Sequence, residues 1–287
     1  MSSKFQQYLT LTKPGIVRGN ALMAAAGFLF ATKHHIDFLT LFGLIIGTSL
    51  IIASACVFNN VIDRDIDAKM ARTKKRALVV KAINVQHALI YASVLGFVGF
   101  GLLIWLTNVV TVLLGAAALV TYVGLYTPLK RTSVHGTLVG SISGAIPPMA
   151  GYTAATGQFD GAALLLGLLL VFWQMAHFYA IAIFRYEDYK AAGIPVLPVH
   201  DSISAAKRQI VVYIVLFALS ICAFEVFGYT GYIFVVVGLA LSASWFIKGL
   251  RGWNSVADTP WARGMFGWSL VVLMGMIVLL SANTLLP

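Results

Sequence analysis

Residues 82–129 read AINVQHALIYASVLGFVGFGLLIWLTNVVTVLLGAAALVTYVGLYTPL: 48 positions without one Asp, Glu, Lys or Arg. A helix needs about 20 apolar residues to cross the hydrocarbon core of a bilayer, so this stretch is long enough for two crossings. Thr107-Asn108 is its natural break. Three more runs, 38–62, 161–184 and 264–287, are equally free of formal charge. Outward from these, 60% of the 287 residues are hydrophobic and 10% are charged, where a soluble domain carries about 25% charged residues. The mean hydropathy of +0.89 agrees. The chain is expected to be an all-α integral membrane protein.

Windowed hydropathy places nine spans near 16–32, 39–58, 86–106, 109–126, 137–155, 162–184, 209–227, 231–247 and 266–284. They form one domain over 1–287, with no soluble module and no low-complexity tract. The first span is interrupted by Arg18, and no cleavage site follows a short apolar core, so the sequence reads as a retained helix without a signal peptide. Cys56 and Cys222 lie in apolar stretches and read as small core residues.

Charge gives the direction. With the N-terminus inside and each span crossing once, 19 of the 20 basic residues fall in cytoplasmic segments and Lys33 alone falls outside, as the positive-inside rule requires. The net charge of +10 then reflects attraction to anionic membrane lipid and does not imply nucleic acid. The chemistry the chain can offer is gathered at the cytoplasmic face, and a cavity opening there is expected.

Three segments carry it. The first is Asn59-Asn60-Val61-Ile62-Asp63-Arg64-Asp65-Ile66-Asp67. If the second span continues as a helix, Asn60, Asp63 and Asp67 share a face and Asp65 points away. Two carboxylates and an amide oxygen at a bundle edge suit Mg²⁺ with substrate phosphates. Arg72, Lys74, Lys75 and Arg76 follow, able to clamp phosphate oxygens; alternatively they are a solvated basic loop. The second segment is a stripe of Trp173, Gln174, His177 and Ile181 running into Arg185-Tyr186-Glu187-Asp188. An ionisable His inside a span is a site candidate by default, the alternative being a residue bonded to a neighbouring helix. Asp188 is a candidate second metal or diphosphate-bridging group. The third is Tyr126-Thr127-Pro128-Leu129-Lys130-Arg131, whose cations either reach diphosphate or anchor the helix at headgroups.

Asn60-x-x-Asp63-x-x-x-Asp67 in a nine-span bundle resembles the first Asp-rich motif of the UbiA superfamily of intramembrane prenyltransferases. Asn60-x-x-Asp-Arg-Asp-Ile-Asp-x-Lys-Met-x-Arg-Thr-Lys, Tyr126-Thr-x-x-Lys-Arg, Gly144-Ala-x-Pro-Pro, Trp173-Gln-Met-x-His-Phe and Asp188-Tyr-x-x-Ala-x-Ile-Pro-x-Leu-Pro are similar to the branch that farnesylates protohaem IX. The likeness covers nearly the whole chain. It departs at the second motif, where Glu187-Asp188 stands instead of Asp-x-x-x-Asp, and at Ala176, where that branch has Pro. What the resemblance implies is transfer of a farnesyl group from farnesyl diphosphate to a vinyl group of haem b, giving haem o. Mg²⁺ would be held by Asn60, Asp63, Asp67 and Asp188, and the diphosphate by Arg72, Lys74, Arg76, Lys130 and Arg131. Trp173, Gln174 and His177 would face the acceptor. The bacterial inner membrane and association with haem-handling or oxidase assembly proteins are implied with it. A prenyltransferase acting on an aromatic quinone precursor is the nearest alternative. A secondary transporter is disfavoured, because the acidic groups lie at the inner edge and no internal repeat is evident.

Overall fold

The computed structural model describes residues 3–32, 35–253 and 257–286; Lys33 and Pro287, which bear on the orientation, lie outside them. Among the described residues the chain is helical and contains no strand. A short helix α1 (Lys4–Leu11) leads into α2 (Pro14–Ala31), followed by α3 (Phe38–Ile62) and a single turn α4 (Arg64–Asp67). Beyond a turn-rich loop come α5 (Val85–Leu106) and α6 (Val109–Val120), the latter continuing through a π-helical turn (Thr121–Tyr126) into α7 (Thr127–Leu129). The bundle is completed by α8 (Gly136–Thr156), α9 (Gly161–Phe184), α12 (Ile203–Val226), α13 (Tyr232–Arg251) and α14 (Asp258–Ala282). Short helices α10 (Tyr186–Ala192) and α11 (Leu197–His200) lie in the connection after α9.

Each expected span has a long helix at its place. Thr107 and Asn108 cap α5 and α6 where the break was read, the Asn108 side chain accepting from the Thr111 amide. Eight of these helices, α6 to α7 counted as one, are long and apolar enough to cross a membrane by length and composition. The expected count of nine exceeds that by one. The remaining helix is α8, 21 residues long, whose Gly, Ser and Thr content and inner Pro147 and Pro148 dilute its hydropathy. Its place in the packing explains the composition: α8 lies against α2, α6 and α9, so small polar side chains meet neighbouring helices and not lipid. A methyl group at Gly151 would collide with the Ala24 carbonyl, and one at Gly27 with the Pro148 carbonyl. Glycine at both positions lets the α2 and α8 backbones touch.

α3 packs along α5, and α9 sits among α8, α12 and α14. The largest apolar core joins α9, α12, α13 and α14 through Leu166, Phe217, Phe224, Trp245 and Met276. Outward-facing apolar side chains such as Phe97 (84% exposed) and Trp105 (80%) are what a lipid-facing perimeter requires, since hydrocarbon imposes no penalty on them. Cys56 and Cys222 are free thiols, Cys56 buried.

Candidate active site

The N-terminal end of α2, the C-terminal ends of α3 and α9, and α7 surround a cavity of about 940 Å³, within the range of pockets that enclose a small-molecule ligand. Its mouth is polar and its depth apolar. Helix α3 stops at Ile62, and Asp63 has helical backbone angles between α3 and α4. The face argument survives this break. The Asp63 and Asp67 side chains are each 4% exposed, whereas that of Asp65 is 58% exposed.

Every buried carboxylate at the mouth is matched by a cation. Lys130 donates to Asp63, Arg131 stands 3.5 Å from the other Asp63 oxygen, and Arg76 donates to Asp67 at 2.5 Å and to the Asn60 side-chain oxygen at 3.0 Å. Burial of two bare carboxylates would be prohibitive, and these partners remove that cost. Arg131 also holds Asp65 with two contacts of 2.8 and 2.9 Å, which lowers the Asp65 pKa below its ordinary value and raises that of Arg131.

Two residues not singled out in the sequence belong here. Asn59 donates to Asp63 at 2.7 Å and to Thr127 Oγ1 at 3.1 Å, and its oxygen accepts from Lys13 Nζ at 2.6 Å. Lys13 lies at the elbow between α1 and α2 with φ of 52°, an uncommon angle for a residue with a Cβ, and its side chain turns into the cavity. Burial lowers its pKa to about 8. The i, i+4 spacing of Asn59 and Asp63 was available in the sequence as a second face-sharing pair. Lys-Pro ahead of the first span carried no comparable signal.

Asn60, by contrast, is turned away from the cavity: its amide donates to the Leu11 carbonyl at 2.8 Å, tying α1 to α3. The expected metal set of Asn60, Asp63, Asp67 and Asp188 is not assembled. Asp188 faces a smaller adjoining recess with Glu187 and Asp258, because α10 turns out of line with α9 after Arg185. Among the described residues no three His, Cys, Asp or Glu side chains gather as a metal site. Of the expected phosphate cations, Arg72, Arg76 and Lys130 line the cavity; Lys74 is exposed on the loop, and Arg131 directs Nη1 and Nη2 to Asp63, Asp65 and the Ile62 carbonyl. What remains suits Mg²⁺ in one respect: two carboxylates facing one cavity are the donor number this ion takes when phosphate oxygens and water complete its shell.

The far wall is aromatic. The Trp173 and His177 rings stack with centroids 4.6 Å apart, and Phe266 lies 4.9 Å from His177. Trp173 Nε1 donates to the Ser269 carbonyl at 2.8 Å. Ser269 Oγ donates its only proton to the Phe266 carbonyl at 2.6 Å, so in its 2.6 Å contact with His177 Nδ1 it accepts. With the hydroxyl proton on that carbonyl, the imidazole proton sits on Nδ1 and Nε2 carries the lone pair. Gln174 lines the cavity too, but its amide bridges the Ser141 and Leu170 carbonyls at 3.1 and 3.2 Å. Between the two walls, the π-helical turn carries Tyr122 and Tyr126 to the cavity, rings 5.2 Å apart; such turns are frequent at functional sites. The Thr127 backbone N–H closes the turn on the Tyr122 carbonyl, and the Thr127 hydroxyl donates to the same oxygen at 2.8 Å.

A membrane-type helical bundle enclosing one apolar cavity, with carboxylates and cations paired at its mouth, is the architecture of an intramembrane prenyltransferase. The chain belongs to the UbiA prenyltransferase family, whose sequence model matches residues 20–271. Proteins named protoheme IX farnesyltransferase from Shigella sonnei and Klebsiella pneumoniae are each 48% identical over 284 residues, covering 99% of this chain and 96% of the relative. Among solved structures, a UbiA homologue from Archaeoglobus fulgidus bound to DMAPP and Mg²⁺ shares the fold with a TM-score of 0.71 at 17% identity, over 93% of this chain and 99% of that one. A UbiA homologue from Aeropyrum pernix gives 0.71 at 18%, over 92% and 95%.

Proposed function

We propose that the protein transfers the farnesyl group of farnesyl diphosphate to a vinyl group of haem b, producing haem o and pyrophosphate. The observation that carries this is one cavity with two unlike walls. A carboxylate and cation mouth suits a metal diphosphate, and a planar Trp173, His177 and Phe266 surface suits a flat, apolar macrocycle. The names of the relatives that match nearly the whole chain support the same reading.

Asp63 and Asp67 would hold Mg²⁺ together with diphosphate oxygens, and the ion would supply charge neutralisation of the leaving group. When diphosphate enters, Lys130 and Arg76 exchange carboxylate for phosphate partners, and Arg72 and Lys13 face the same anion. The bond between farnesyl C1 and oxygen breaks, its electrons leave with pyrophosphate, and the cations stabilise the charge that develops. The terminal vinyl carbon of haem attacks C1. Water adds to the cation left beside the macrocycle and loses a proton, so haem b, farnesyl diphosphate and water become haem o, pyrophosphate and a proton. The apolar depth excludes stray water from the allylic cation. His177, with Nε2 as acceptor, faces the haem.

The reading extends to nine crossings with the N-terminus in the cytoplasm, residence in a bacterial inner membrane, and handover of product to oxidase assembly. Purified protein in nanodiscs, given haem b, farnesyl diphosphate and Mg²⁺, is expected to form haem o detected by mass. Prenylation of an aromatic acid with haem left untouched would overturn the assignment.

A further inference from the structure

We propose that Arg185 is the residue that receives a propionate carboxylate of the porphyrin, and so sets both the acceptor's specificity and its orientation. This rests on the haem reading above. Trp173, His177, Ile181 and Arg185 recur at every fourth residue of α9 and its C-cap, and all four line the main cavity. Arg185 therefore stands two helical repeats beyond His177, about 12 Å along the axis, on the same face. A macrocycle lying against the His177 and Trp173 rings has its carboxylates on its rim, at the end of a flexible two-carbon arm. The arginine at the cytoplasmic end of the stripe is in place to meet one.

Its surroundings separate it from the diphosphate cations. Lys13, Arg76 and Lys130 are in close contact with Asn59, Asp67 and Asp63 across the cavity. Arg185 is carried instead by the C-cap of α9; its carboxylate neighbour is Asp188, 3.8 Å away, beyond hydrogen-bond distance. Its side chain is 41% exposed, and its guanidinium lies over the Phe184 ring, 5.3 Å from the centroid. That leaves the planar fork able to take a carboxylate in two parallel bonds. Tyr189, beside it on α10, lines the cavity within the field of Arg72, Lys130 and Arg185, so a phenol hydroxyl is at hand as a second donor.

The test compares haem b with its dimethyl ester, which keeps the macrocycle and the vinyl groups and removes both carboxylate charges. Full-length protein in nanodiscs is titrated with each by Soret absorbance, and turnover is measured across a farnesyl diphosphate titration. The wild type is expected to bind haem at least ~10-fold more tightly than the ester, the scale of one charge-assisted hydrogen bond. In Arg185→Gln that preference collapses, the ester affinity and the KM for farnesyl diphosphate stay near wild type, and Arg185→Lys recovers part of the preference. Retention of the full preference in Arg185→Gln overturns the proposal, as does a rise confined to the KM for farnesyl diphosphate. A wild type that binds haem with the expected preference but forms no haem o would instead defeat the farnesylation reading.

Discussion

Asp63 and Asp65 are two residues apart, both acidic and both paired with cations, yet replacing them by Asn is expected to have very different consequences. The Asp63 side chain is 4% exposed and contacts Lys130, Arg131 and Asn59. At an effective dielectric near 20, unit charges at ~4 Å interact by about 4 kcal/mol. If that interaction, made with Mg²⁺ and the developing pyrophosphate charge, is removed, turnover falls about a thousandfold, one decade per 1.36 kcal/mol. Asp65 is 58% exposed and meets Arg131 at the surface, where an ion pair contributes about 0.2–1 kcal/mol. Asp65→Asn is therefore expected to lower turnover by at most about fivefold. The assay is haem o formation in nanodiscs across a Mg²⁺ titration, with detergent-stable yield as a check on folding. A second readout separates loss of the metal site from general damage. Because Asp63 occupies Lys130, Asp63→Asn frees that ammonium, and pyrophosphate without Mg²⁺ is expected to bind at least as tightly as to the wild type. Equal losses for the two variants, or weaker metal-free pyrophosphate binding to Asp63→Asn, would refute the reasoning.

His177→Ala is expected to leave the Mg²⁺ requirement unchanged while weakening haem binding, because Nε2 and the stacked Trp173 are the acceptor wall; wild-type haem affinity would make the stripe structural. Lys13, with its pKa held by burial at about 8, is charged below that pH and neutral above it. Affinity for pyrophosphate should step down as pH rises through 8, and Lys13→Met should remove that step. The stability effect has the opposite direction: the unfolded lysine binds its proton up to its ordinary 10.5, so folding stability gains as pH rises from 8 to 10.5. For topology, reporters fused after Arg76 should be cytoplasmic and those after Asp160 and Pro287 external. A cytoplasmic reporter at Pro287 would mean an even number of crossings, in line with the eight helices that length and apolarity support.

The helix positions and the apolar, membrane-type character of the chain were legible in the sequence alone. The runs without charge, the Thr107-Asn108 break and the Asp63, Asp65, Asp67 alternation are local, and a bilayer demands helices whatever the rest of the chain does. Helical periodicity was enough to send Asp65 outward, because a turn of helix is decided by neighbours in sequence. The composition of α8 was harder to read, since its Gly and Pro residues suit helix neighbours that no window of sequence contains. The same limit governs the site. Lys13 meets Asn59 across 46 residues, Lys130 meets Asp63 across 67, and His177 meets Ser269 across 92. Only packing decides which of two adjacent asparagines turns inward: Asn60 is claimed by the Leu11 carbonyl, and Asn59 is left to face the cavity. That Asp188 lines the adjoining recess was equally beyond the sequence, because it depends on the break in helical backbone at Arg185 between α9 and α10. A one-dimensional pattern fixes which side of a helix a residue occupies; which partner waits on that side depends on where the other helices lie.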